Sequence, residues 1–345
     1  MNRILNHIRE VYQEKRHKKN YKRKKGNHKF RRRAIRQKQK QNGEKHEIKF
    51  INKPAPKTFS LIDNTNEVVK YINECREIIK QDNNVEWDIA DVESITPDAI
   101  TLLAACFNDQ SFNADHAIMR GTHPKKKELN KYFIESGFYE HVLCDKNLKN
   151  HSNQNLNFLH KESDYKVQGE IARDACIYGV DHVFGGFYNV SDLYDMLIEA
   201  MANTNNHASG DKEGEVKWWL YTCNSEDGYT SYSFVDLGVG IFDSAPFTAI
   251  KKILVGVNVR HNADYVPNLL AGEIGTSKEY DKKIRGKGIP QIAKNSKNDY
   301  IKRAYIISND VKINLKNNEA TPLKEEFKGT FLYWELYNPQ NQNAI

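Results

Sequence analysis

Apolar residues recur at helical spacing in NEVVKYINECREIIK, where Val68, Ile72, Cys75 and Ile79 share one face, so this run is predicted to be an amphipathic helix. Val85–Ile89 reads as a strand. Pro97 then opens a helix, with Thr96 placed as its cap. HAIMRG predicts another strand. In KKKELNKYFIESGFYEHV, Leu129, Phe133, Ile134 and Phe138 predict one closing helix. This alternation, entered through a Pro-Ala-Pro break at 54–56, predicts a small α/β domain over residues 47–146. The polar, Asn-rich run over 147–164 reads as a linker. Beyond it GEIARDACIYGVDHVF is a predicted helix, GGFYNVS a break, and Ser191–Ala208 a second helix capped by Ser191. KWWLYTC, YTSYSFVD and FKGTFLYWEL predict strands, giving a second domain over 165–340 and an overall α/β (α+β) class.

Charge changes the picture only at the beginning of the chain. Ile4, Leu5, Ile8 and Val11 form a short helical stripe, after which residues up to 46 are almost wholly polar. Residues 1–45 carry 18 Lys/Arg against three Glu, a balance of +15 that leaves −8 on the other 300 residues of a chain whose net charge is +7. The arm at 1–46 is therefore expected to be a frayed helix and a solvated basic tail. It suits RNA or DNA through phosphate neutralisation, or an acidic protein partner, and the sequence leaves both open. No run approaches the ~18 apolar residues of a membrane span, and no apolar signal core is present. A cytoplasmic protein without membrane contact is expected. The five cysteines are scattered without metal-ligand spacing and read as reduced thiols.

The candidate chemistry starts on the Ser191–Ala208 helix. Glu199, Asn203 and His207 stack one turn apart on one face. A carboxylate one turn before a carboxamide can hold a water and a divalent cation against a phosphate chain. Downstream, Asp236 ends a strand and is followed by Gly238 and Gly240. A carboxylate there can accept from an exocyclic amine, while glycines admit close backbone approach. GEIGTSK contains Lys278, and RGKGIPQIAKN contains Arg285, Gly286, Lys287 and Gly288. Glycine turns opening a helix present N–H groups to anionic oxygens. Gly329-Thr330 begins the last alternating strand.

In this order the four elements resemble the GHKL superfamily of gyrase B, Hsp90, histidine kinases and MutL. The resemblance implies a Bergerat-fold two-layer α/β sandwich over about 165–338 and ATP with Mg²⁺ as cofactors. It implies Asn203 as the Mg²⁺ ligand and Glu199 as the base that polarises water. Asp236, Gly238, Gly240, Lys278, Gly286, Lys287, Gly288 and Thr330 are the implied nucleotide-binding residues, and residues 242–285 the implied lid. Upstream, the pattern D-x-x-x-V-x-x-I-x-x-x-A-I-x-x-L from Asp88, with ESGFYEHV after it, resembles a STAS domain. Where phosphorylated STAS members carry serine at the helix start, this chain has Pro97 and Asp98, read as ordinary first-turn dipole complementation.

The expected function is an ATP-driven regulatory switch with slow hydrolysis. It would act by changing how the ATP domain meets the STAS-like domain, a protein partner or a second copy in a homodimer. An anti-sigma-type serine kinase acting on a STAS partner is the second reading. A nucleic-acid-binding module with a structural nucleotide is the third. Histidine autokinase activity is not expected, because no phosphoacceptor hairpin precedes the ATP domain.

Overall fold

A computed structural model describes residues 49–109, 112, 118–142, 156–162, 167–207, 218–226, 228–244, 261–273 and 288–344. The chain divides between Lys49 and Phe50, and Phe50–Ile345 is one compact unit. The basic arm lies outside the described residues, as do Lys278, Gly286 and Lys287.

Strand–helix alternation in the first half produces parallel pairing, since each crossover returns the chain to the same sheet edge. β1 (Ile51–Pro54), β3 (Val85–Asp88) and β5 (Met119–Gly121) form a parallel sheet in the order β1-β3-β5. β2 (Thr58–Phe59) and β4 (Ser94–Ile95) pair beside it. Helix α1 (Thr65–Lys80) buries Val68, Ile72, Cys75 and Ile79, the stripe that its spacing predicts. Helix α2 (Pro97–Asn108) is buried from Pro97 to Cys106. Thr96 stands at its N-cap position without a side-chain cap; its hydroxyl donates to the Phe59 carbonyl instead. The expected closing helix is two pieces, α3 (Lys127–Glu135) and α4 (Phe138–His141), because Gly137 adopts φ +80° between them.

The second half is a mixed α/β unit around an antiparallel sheet of order β6-β7-β8-β10-β9. Its strands are β6 (Leu156–Glu162), β7 (Trp218–Glu226), β8 (Tyr229–Asp236), β9 (Ile301–Asn314) and β10 (Glu319–Tyr337). Two strands depart from the sequence reading. Residues 156–162, expected within a polar linker, pair along β7 from Leu156↔Asn224 to Glu162↔Trp218. β9 has no counterpart in that reading. Helices α5 (Gly169–Phe184), α6 (Ser191–His207), α7 (Val266–Leu270) and α8 (Gly288–Asn295) complete the unit. Ser191 is the first residue of α6, and Asn189 Oδ1 accepts its N–H at 3.1 Å.

Alternation along the strands buries both faces of this sheet. Trp219, Tyr221, Tyr232, Phe234, Leu332 and Trp334 point into a core shared with α5, α6 and α8. Their neighbours Trp218, Leu220, Val235, Leu237, Ile307, Phe327, Phe331 and Tyr333 point the other way, into one core with α1, α2 and the parallel sheet. Helix α2 crosses β7 and β8, and α1 lies on β10. The two-layer sandwich expected of the second half thus has a third layer supplied by the first.

Polar contacts seal that junction. Thr101 and Thr222 share a buried hydroxyl hydrogen bond of 2.6 Å. Arg303 bridges Asp63 at 2.6 Å and the buried Glu335 at 3.3 Å, and Tyr333 donates to Glu335 at 2.7 Å. Asp98 is buried and accepts from the Ile62 amide at 3.0 Å and the Ser60 hydroxyl at 3.3 Å. Burial raises its pKa. Asp98 therefore fastens the 60–62 turn to α2, where a surface dipole partner was expected. The four described cysteines, Cys75, Cys106, Cys176 and Cys223, are buried free thiols, and burial raises the thiol pKa of Cys75, Cys106 and Cys176. No helix among the described residues is long and apolar enough to cross a membrane.

Candidate nucleotide site

Asp236 ends β8 with its side chain only 5% exposed. Its Oδ1 accepts the Gly238 amide at 3.0 Å, and its Oδ2 accepts the Thr204 hydroxyl of α6 at 3.1 Å. Across the β8–β10 ladder it faces Thr330, whose backbone amide also stabilises the carboxylate. Burial nevertheless dominates and pushes the Asp236 pKa up to about 6. A carboxylate has about four lone-pair positions, so three protein donors leave room for one more. The group is thus a desolvated acceptor, ionised at neutral pH against a burial cost, with capacity for an external N–H.

The loop after Asp236 is held by a pair the sequence reading did not single out. Ser308 Oγ accepts the Ile241 amide at 2.9 Å and donates to the Gly329 carbonyl at 2.8 Å. Asn309, at φ +52° in β9 opposite a bulge of β10, accepts the Phe242 amide at 3.0 Å and donates to the Val239 carbonyl at 3.0 Å and Asp243 at 2.9 Å. A β-carbon added at Gly240, which has φ +82°, would lie 2.3 Å from Asn309 Oδ1. A β-carbon at Gly329, φ +118°, would lie 2.1 Å from the Asp236 carbonyl oxygen. Both glycines are required by close approach, and Gly329 brings Thr330 alongside Asp236.

On α6, Glu199 and Asn203 are half-buried and sit one turn apart. Gly288 opens α8 against Asn203: a β-carbon there would stand 2.5 Å from Asn203 Oδ1 and 2.7 Å from its Nδ2. Asn203 Nδ2 is buried without a hydrogen-bond partner. The two helices are locked at their other ends. Asn295 donates to the Asp192 carbonyl at 3.1 Å, and Tyr300 donates to the Asp192 carboxylate at 3.1 Å. Helix α8 thus presents its first amides beside Asn203, and a helix start favours anionic oxygens.

Four segments far apart in sequence therefore meet. Glu199 and Asn203 join Asp236 through the adjacent Thr204, Asp236 joins Gly329-Thr330 through the ladder, and Gly288 joins Asn203 directly. Thr204, Ser308 and Asn309 were not read as site residues from the sequence. The available signal was a polar side chain on a buried helical face and a polar pair inside the apolar run around Ile306-Ile307. Of the segment read as a lid, residues 242–244 and 261–273 are described. Its Val266 and Leu269 are buried, and Asn262 donates to Asp310 of β9 at 2.6 Å. The His207 side chain lies outside the described residues.

Among the described residues no group of three or more His, Cys, Asp or Glu could hold a metal ion. A single carboxamide matches a cation that keeps several waters and takes its other oxygens from phosphate. No protein-family model matches the chain, and no curated protein matches its sequence.

Proposed function

We propose that Phe50–Ile345 binds an adenine nucleotide with magnesium and slowly hydrolyses it, in the manner of GHKL ATPases. The convergence of Glu199–Thr204, Asp236–Gly240, Gly288 and Gly329-Thr330 on one another carries this reading. In it, Asp236 receives the exocyclic amine, while Gly238, Gly240 and Thr330 shape the wall around the base. Asn203 is the magnesium ligand. The first amides of α8 meet phosphate oxygens, with Lys278, Gly286 and Lys287 proposed to extend that contact. Bound magnesium would neutralise phosphate charge, and the nucleotide would supply the scissile phosphoanhydride. Glu199, one turn from Asn203, orients the attacking water and takes its proton.

The first half reads as a STAS-like module converted into a fixed wall. Its helix α2, which begins at Pro97-Asp98, is buried against β7 and β8. A switch that slides this half over the sheet would break the shared core, so the nucleotide response belongs on the opposite face, around α6 and α8.

Glu199→Gln is expected to keep ATP affinity within about threefold and to lower phosphate release by at least roughly 100-fold, the usual scale for a lost general base. Binding titration and a phosphate-release assay check this. Release at the wild-type rate would remove Glu199 from the chemistry. Transfer of labelled phosphate to a protein serine, in place of free release, would favour the serine-kinase reading.

A further inference from the structure

We propose that the outer face of α5 and the turn following it form a two-fold contact between two copies of this chain. Among the described residues the exposed large apolar side chains are Ile51, Val167, Ile177, Phe187 and Tyr188, and four of these five lie on or beside α5. Ile177 is 51% exposed in mid-helix, and Phe187 is 99% exposed just after the helix ends at Phe184. The turn is braced: Phe184 stacks flat on Tyr188 at 3.9 Å, and Tyr188 meets Tyr300 edge-on at 6.0 Å. A fully exposed phenylalanine on a braced turn loses little conformational freedom when it is covered.

The spacing says what covers it. Val167 and Phe187 stand ten residues to either side of Ile177, and the exposed Arg173 and Asp181 stand four residues to either side. When two such helices cross antiparallel at Ile177, each position before it faces the equivalent position after it on the other copy. Arg173 then opposes the partner's Asp181, twice by symmetry. One apolar residue sits on the axis with opposite charges flanking it symmetrically. That is self-complementarity, and an unrelated partner would not require it. Within one copy Arg173 pairs with Asp174 at 3.7 Å with both side chains about two-thirds exposed, a pairing weak enough to exchange. Glu170 and Asp174 leave the face acidic, so Arg173 is the one cation on α5 available to oppose the partner's Asp181. A helix pair with its two turns is a small interface, below about 1,200 Å², and such contacts associate weakly and reversibly.

Sedimentation equilibrium of the full chain across roughly 1–200 μM tests this. Wild type is expected to show a reversible monomer–dimer equilibrium in that range. Ile177→Glu is expected to stay monomeric throughout with unchanged circular dichroism, since the side chain is exposed. Arg173→Asp and Asp181→Arg should each weaken dimerisation by about tenfold. The double variant Arg173→Asp/Asp181→Arg should return to within about threefold of wild type. A wild type that is monomeric at every concentration overturns the proposal. So does a dimer that Ile177→Glu leaves intact, or a charge exchange that fails to restore association.

Discussion

Asp236→Asn is expected to make the protein more stable at neutral pH while abolishing its affinity for adenine nucleotides. Asparagine has the shape of the aspartate. Its Oδ1 can still accept the Gly238 amide, and its Nδ2 can donate to the Thr204 hydroxyl, which then donates to the Ala200 carbonyl it already approaches at 3.3 Å. What disappears is a buried charge. Burial holds the folded-state pKa of Asp236 at about 6, against 3.8 for the ordinary group. Between those values the folded state binds more protons than the unfolded chain, so this residue's contribution falls as pH rises from about 4 to about 6 and is flat above. The variant should therefore match wild type below about pH 4 and exceed it above about pH 6.5. The gain is at most roughly 3 kcal/mol, from ~2 pKa units at 1.36 kcal/mol each. Chemical denaturation at several pH values checks the stability. Titration with ATP and magnesium should show at least a ~100-fold loss of affinity, because an amide nitrogen now faces the amine that the carboxylate would receive. A variant less stable than wild type at pH 7.5 would mean that Asp236 serves the fold.

The second large effect concerns the junction of the halves. A chain beginning at residue 150, which keeps β6 but lacks the first half, is expected to be insoluble. It would expose Trp218, Leu220, Val235, Leu237, Ile307, Phe327, Phe331 and Tyr333, the sheet face buried against α1 and α2. At about 1.5–3 kcal/mol for each large side chain, the lost burial exceeds roughly 10 kcal/mol, as much as a whole domain's stability. It would also uncover Glu335 and take away the Asp63 partner of Arg303. Expression of residues 150–345, followed by solubility and thermal unfolding, checks this. A soluble, cooperatively folded fragment would show that the second half keeps its own core.

Much of this architecture is written locally. The stripe Val68–Ile79, the Pro97 helix start and the alternation in YTSYSFVD each depend on neighbours a few residues away, and each element forms where its pattern lies. Glu199, Asn203, Asp236, Gly288 and Thr330 could be singled out because each sits on a local feature, a helix face, a strand end or a glycine turn. Long-range contacts decided the remainder. Residues 156–162 lack an apolar run and become a strand by pairing with β7. The apolar run of β9 is interrupted by the polar Ser308-Asn309-Asp310, and β10 bulges opposite the two residues, Ser308 and Asn309, that hold the loop after Asp236. The third layer is non-local in its partners: the run 99–107 is apolar all round, the mark of a buried helix, yet nothing in it names β7 and β8 as the cover.

The central claim, that Asp236 receives an exocyclic amine, is tested most directly by calorimetric titration of the wild-type protein with ATP and with ITP, each with magnesium. ITP carries a carbonyl where ATP carries the amine. A site whose buried acceptor requires that donor rejects the analogue strongly. The account predicts saturable 1:1 binding of ATP, with ITP weaker by at least about 100-fold. Equal affinity for the two, or no saturable binding of ATP, would contradict it.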